Sequence, residues 1–164
     1  MTTTSVRPPQ AAPCPAAAVP RTRQFDAMRT SFDISPRRGS EDVPERDAQR
    51  VCAMRRLARA RMTYCGLDAV ADDVALVVSE LVTNAVKHSR GTHITMDLRL
   101  HGAVLRIAVR DDTSRLPQIR PPGPDAESGR GLILVKGIAD QYNGSWGVSA
   151  DGTTTWCTLT VGSC

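Results

Sequence analysis

The stretch LVVSELVTNAVKHSRG, residues 76–91, carries apolar side chains at helical spacing with polar ones interleaved. At roughly 100° per residue, Val70, Val74, Val77 and Leu81 fall on one side of a helix expected over 68–88, the side that would lie on a sheet. Gly66 breaks the chain before this helix, and Gly91 stands just past its end as a stop signal. Glu80, Asn84, Lys87 and His88 fall on or beside the same side, so the face reads as apolar in its first half and polar in its second. A carboxylate and an amide four residues apart, directed at a core, need partners, because an unpaired buried charge costs several kcal/mol. The other reading is a helix end emerging into solvent, with Glu80 and Lys87 as ordinary surface residues.

Upstream, Pro44 suits a helix start, where its missing N–H is not needed, and the helix should run to about Met62. Its charges agree with the helix dipole: Glu41, Asp42, Glu45 and Asp47 gather at the beginning, and Arg55, Arg56, Arg59 and Arg61 at the end. Val51, Met54, Ala58 and Met62 form its expected buried stripe. Before it, Met28, Phe32 and Ile34 alternate with polar residues in a first strand over 27–34, and a loop covers 36–43. Residues 1–23 hold five of the eleven prolines and almost no large apolar side chains, so they read as a flexible tail ahead of one domain over 24–164.

Downstream the period changes to two. Ile94, Met96, Leu98 and Leu100 alternate with polar neighbours, residues 103–109 follow, and His101 and Gly102 between them predict a tight antiparallel hairpin. Residues 112–129 carry four prolines and do not read as a regular element. Leu132, Val135 and Ala139 return to helical spacing, and two short strands, 145–149 and 154–161, close the chain. This order predicts an α+β fold, a two-layer α/β sandwich with the helices on one face of a mostly antiparallel sheet.

Composition narrows the function classes. The chain has 164 residues, 41% hydrophobic and 23% charged, which allows one packed domain and excludes two full catalytic ones. Aromatics make up only 4%, so the core must come from Val, Leu, Ile, Ala and Met, and a base-stacking surface for nucleic acid has little support. The net charge of +4 is mild. Five cysteines, odd in number and without a CxxC pair, fit neither a zinc site nor a secreted disulfide frame. No apolar run approaches the roughly 18 residues of a membrane span, no secretory leader is recognisable, and the expectation is a cytoplasmic protein without membrane contact.

Four clusters could carry chemistry. In the first, Asn84 is a neutral oxygen ligand suited to a hard cation such as magnesium, and Glu80 can act as a base toward a hydroxyl or water. The second is Asp111, ending the strand LRIAVRD, where a turn-forming role is the alternative. The third is ESGRGL, residues 127–132, whose glycines allow backbone N–H groups to approach a phosphate at a helix N-terminus. It is neither a P-loop nor a dinucleotide fingerprint. The fourth is GTTTW, residues 152–156, where Thr154 could simply be a β-former.

Taken in order, ELVTNAVKH, VRD before a proline-rich loop, SGRGL and GTTTW resemble the GHKL (Bergerat-fold) ATPase superfamily over about residues 25–162. Within it, the chain is similar to small actinobacterial histidine-kinase-like regulators and to anti-sigma factor serine/threonine kinases. The resemblance implies ATP and Mg2+ as cofactors and a mixed, mostly antiparallel sheet. It makes Glu80 the general base and Asn84 the metal ligand, and sets Lys87 or His88 near the phosphates. It has Asp111 accept a hydrogen bond from the adenine amino group with help from Thr154. Gly129, Arg130 and Gly131, followed by Leu132, would wrap the phosphates at the start of the third helix, and residues 113–128 would form a lid over the nucleotide.

It implies protein partners, a sigma factor or an anti-anti-sigma factor, with phosphorylation of a Ser or Thr on the antagonist and a homodimer by analogy. The superfamily's DxGxG is absent, since Asp111 is followed by Asp112, Thr113, Ser114 and Arg115. A nucleotide-gated interaction module with little phosphotransfer is therefore the alternative, and nucleic-acid binding through the Arg-rich first helix a third.

Overall fold

The computed structural model describes residues 26–35, 43–113 and 127–162. The expected tail over 1–23, most of the loop over 36–43 and nearly all of the expected lid lie outside the described residues. Strand β1 (Asp26–Asp33) is followed by helix α1 (Glu45–Tyr64), a short 3-10 turn (Asp68–Val70) and helix α2 (Ala71–His88). Strands β2 (His93–His101) and β3 (Val104–Asp111), helix α3 (Glu127–Gln141) and strands β4 (Ser145–Val148) and β5 (Thr154–Thr160) complete the order.

Local chemistry explains the boundaries. Pro44 precedes α1, and its carbonyl accepts from the N–H groups of Asp47 and Ala48 at 2.9 and 3.0 Å. The Asp47 side chain is 1% exposed, and its Oδ2 accepts from the Ser35 N–H at 3.2 Å, tying the end of β1 to the start of α1. Gly66, at φ 68°, ends the helical run in the left-handed conformation that glycine adopts without a Cβ penalty. Gly102, at φ 57°, makes the turn between β2 and β3, which pair antiparallel from Ile94 opposite Asp111 to His101 opposite Val104.

The sheet has five strands in the order β1-β2-β3-β5-β4, and every pairing among the described strands is antiparallel, so the mixed sheet expected from the resemblance becomes a purely antiparallel one. The α+β sandwich itself is what the structure shows, with one side of the sheet covered by helices. Ile94, Met96, Leu98, Leu100, Leu105, Ile107, Cys157 and Leu159 point inward from the sheet. They meet Met54, Ala58 and Met62 of α1, Val74, Val77, Leu81 and Val86 of α2, and Val135 and Ala139 of α3. Among the described residues, Phe32 is the one aromatic side chain fully buried with them, in keeping with the few aromatics of the composition. Val51 is only partly buried against this core.

Two expectations about helices change. Helix α3 begins at Glu127 instead of near Leu132, so the last residues of the proline-rich stretch are helical, because the prolines end at Pro124 and nothing beyond them interrupts i to i−4 bonding. The inner face of α2 does not turn polar halfway. Val78, Leu81, Val82, Ala85 and Val86 keep it buried to the last turn, and the polar line runs beside it. No described helix is long and apolar enough to cross a membrane.

Candidate functional site

Glu80, Thr83, Asn84, Lys87 and His88 stand at i, i+3, i+4, i+7 and i+8, one continuous stripe of α2. Glu80, Thr83 and Asn84 are half-buried and Lys87 and His88 exposed, because the stripe flanks the buried face and opens toward solvent as the helix ends. Gly131 and Leu132, in the second turn of α3, face it. Together these residues line an open cleft enclosing about 310 Å3, solvent included. The inward Glu and Asn therefore border a cleft instead of being core groups with protein partners. Among the described residues, neither side chain makes a hydrogen bond, and solvent access removes the penalty that burial would impose.

The walls are close. A Cβ on Gly131 would lie 2.3 Å from Glu80 Oε2, so any side chain there would push this carboxylate aside from the α3 backbone. Tyr142, just past α3, donates to Asp73 Oδ2 of α2 at 2.6 Å and pins the two helices two turns away from Glu80. That hydrogen bond, with partial burial and the charge of Asp73, pushes the Tyr142 phenol up to about 12. Gly129 and Arg130 fall in the first turn of α3. Arg130 is exposed and does not line the cleft.

Asp111 and Thr154 sit at the neighbouring ends of β3 and β5, outside the lining of this cleft. The Asp111 N–H donates to the Thr153 carbonyl at 3.0 Å. Asp111 Oδ1 accepts from both the N–H and the Oγ1 hydroxyl of Thr113, each at 2.9 Å. The Thr154 N–H donates to Ser149 Oγ at 2.9 Å, and its own Oγ1 lies 3.4 Å from Thr153 Oγ1. The structure thus brings Glu80, Asn84, Lys87, His88, Gly131 and Leu132 together, and holds Asp111 and Thr154 beside each other at a second place.

Residues not anticipated join the two places. Thr83 completes the stripe and could have been found from its spacing to Glu80. Ser89, buried just past α2, lies 3.4 Å from Thr113 across 24 positions of sequence, a separation with no local signal. Asp112 accepts from the N–H groups of Thr92 and His93 at 3.1 and 3.3 Å and so clasps the α2–β2 connection to the end of β3. Partial desolvation works against its charge, but these amide donors outweigh it and hold the carboxyl below the ordinary aspartate value.

Helices on one face of a sheet, with a polar cleft between the second and third helices, are the plan of the GHKL class of ATP-binding proteins. The family described as "Histidine kinase-like ATPase domain" matches residues 44–159 of the 164, and the chain belongs to it. That domain implies ATP binding, usually with magnesium. No curated protein matches the chain.

Proposed function

We propose that this ATPase-like protein is an anti-sigma-factor-type serine/threonine protein kinase that binds ATP with magnesium and phosphorylates an antagonist protein. The observation that supports it most is the stripe Glu80–Asn84–Lys87 of α2 set against Gly131 of α3.

The residues present fit the cofactor. Asn84 offers a neutral amide oxygen, the kind of donor a hard cation takes. No group of three or more His, Cys, Asp or Glu among the described residues could hold a metal ion, so a cation at Asn84 would draw its other ligands from phosphates and water, as magnesium usually does. When bound, ATP with its cation supplies the phosphoryl group and neutralises part of its charge.

The chain's own residues do the rest. Glu80 accepts the proton of the attacking hydroxyl. Lys87 and His88, at the exposed end of the stripe, stand toward the phosphates. Gly129, Arg130 and Gly131 offer the positive end of α3, with Leu132 as an apolar wall. Asp111 accepts from the adenine amino group, with Thr154 beside it. Partners on this reading are a sigma factor and an anti-anti-sigma factor, and a homodimer is the working assembly.

Calorimetry with ATP and magnesium tests the site. Wild type should bind, and Asn84→Ala and Asp111→Ala should each lose about tenfold, or about 1.4 kcal/mol. Absence of wild-type binding at about 1 mM ATP, a level equivalent to only about 4 kcal/mol, would defeat the reading. Glu80→Gln should keep the affinity and lower γ-phosphate release by about a hundredfold or more, the usual contribution of a general base. Equal turnover in both proteins would favour the second reading, a nucleotide-gated interaction module. The observation favouring that module is Thr113, hydrogen-bonded where the superfamily carries a hinge glycine.

A further inference from the structure

The end of β3 and the end of α2 are joined by a chain of hydroxyls whose direction can be assigned. The Thr113 hydroxyl has one proton, and it donates to Asp111 Oδ1 at 2.9 Å. The 3.4 Å contact between Ser89 Oγ and Thr113 Oγ1 therefore takes its proton from Ser89. Ser89 Oγ in turn accepts from the Gly91 N–H at 3.0 Å. Ser89 is 2% exposed, so its hydroxyl has little access to water. The line runs from the Gly91 amide through Ser89 and Thr113 to one oxygen of Asp111.

The consequence falls on the Asp111 carboxylate. A carboxylate oxygen offers about two acceptor positions, and those of Oδ1 are filled by the N–H and O–H of Thr113. Oδ2 has no partner among the described residues. The carboxylate is therefore held in one rotation, with one oxygen closed and the other open. An ionised carboxylate only accepts, so the open oxygen favours an amino group and repels a carbonyl oxygen.

We propose that Thr113, supported by Ser89, is a positioning residue for nucleobase selection: it fixes Asp111 so that Oδ2 alone meets the base. The selection rests on the ATP reading above and adds the residues that give it geometry. A glycine at position 113 would supply the amide but not the hydroxyl, and would leave Asp111 without its link to α2.

The test compares ATP with purine riboside triphosphate, which lacks the 6-amino group, by calorimetry in the presence of magnesium. Wild type should prefer ATP by about tenfold or more, as expected for a hydrogen bond to a charged group. Thr113→Val, which keeps the shape and removes the hydroxyl, should weaken ATP by about tenfold and leave purine riboside triphosphate within about twofold. Thr113→Ser should restore the preference, and Ser89→Ala should shift it in the same direction as Thr113→Val. If circular dichroism shows Thr113→Val misfolded, Thr113→Gly carries the comparison.

An unchanged preference in the variant, or equal weakening of both nucleotides, would overturn the positioning role while leaving ATP binding standing. Failure of wild type to bind either nucleotide would overturn the ATP reading, and the selection with it.

Discussion

Replacing Gly137 and Gly131 of α3 by alanine, one at a time, separates helix propensity from the packing of Glu80. An added Cβ at Gly137 meets nothing within 4 Å. Alanine there gains only the propensity difference, about 0.5–1 kcal/mol, which should raise Tm by about 1–4 °C in a chain of this size. Gly131 has the same propensity to gain, but its Cβ would fall 2.3 Å from Glu80 Oε2 and 3.4 Å from Cδ. The carboxylate is the far end of a flexible side chain and can swing aside, at the cost of an off-rotamer arrangement of about 0.5–1.5 kcal/mol. The two effects nearly cancel, so Gly131→Ala should leave Tm almost unchanged. In a Glu80→Ala background the obstacle is gone, and Gly131→Ala should recover the full gain, a coupling of about 0.5–1.5 kcal/mol in the double-mutant cycle. Thermal and urea denaturation followed by circular dichroism measure all four proteins. If Gly131→Ala stabilises the wild-type background as much as Gly137→Ala does, α3 does not press on Glu80 and the cleft is not built as described. Because Gly131→Ala displaces the carboxylate without unfolding the chain, nucleotide turnover should fall in a protein of wild-type stability.

Two further outcomes follow from titratable groups. The chain has two tyrosines, Tyr64, which is 81% exposed, and Tyr142, which Asp73 holds up to about 12. Tyrosinate absorbance should therefore show an upper transition near 12 that belongs to Tyr142. The native state keeps the Tyr142 proton longer than the unfolded chain does, so its stabilisation is complete below about pH 10 and is lost as pH rises toward 12. Tyr142→Phe should remove the upper transition, and its persistence would refute the assignment. Burial pushes the Cys157 thiol up to about 11, whereas Cys52 is exposed. At about pH 8, iodoacetamide should modify Cys52 in the native protein and spare Cys157, because the thiolate is the reactive form. Modification of Cys157 at the rate of Cys52 would contradict its burial.

Much of the molecule is legible locally. Alternation over 93–100 with Gly102 beyond it defines the β2–β3 hairpin, since a two-residue period exposes one face and a glycine accepts the positive φ of the turn. Pro44 and the charge gradient of α1 mark that helix because its terminal dipole and unmatched N–H groups act within a turn. The polar stripe of α2 is also visible, since Glu80, Asn84 and Lys87 recur at helical spacing. The start of α3 was obscured by its neighbours: prolines up to Pro124 and the glycine pair suggested a loop, but helical bonding needs only that nothing after 127 blocks it.

What the sequence determined by itself is therefore the set of elements, the α+β class and the line of polar side chains on α2, all consequences of periodicity and of end effects within a few residues. Only the tertiary structure decided that β5 lies between β3 and β4, that Gly131 meets Glu80 across two helices, and that Ser89 reaches Thr113. Those contacts join residues far apart in the chain, and their positions come from burying one shared core under the sheet. A separation of tens of residues leaves no periodic trace; the shape of the packed core sets where such pairs meet.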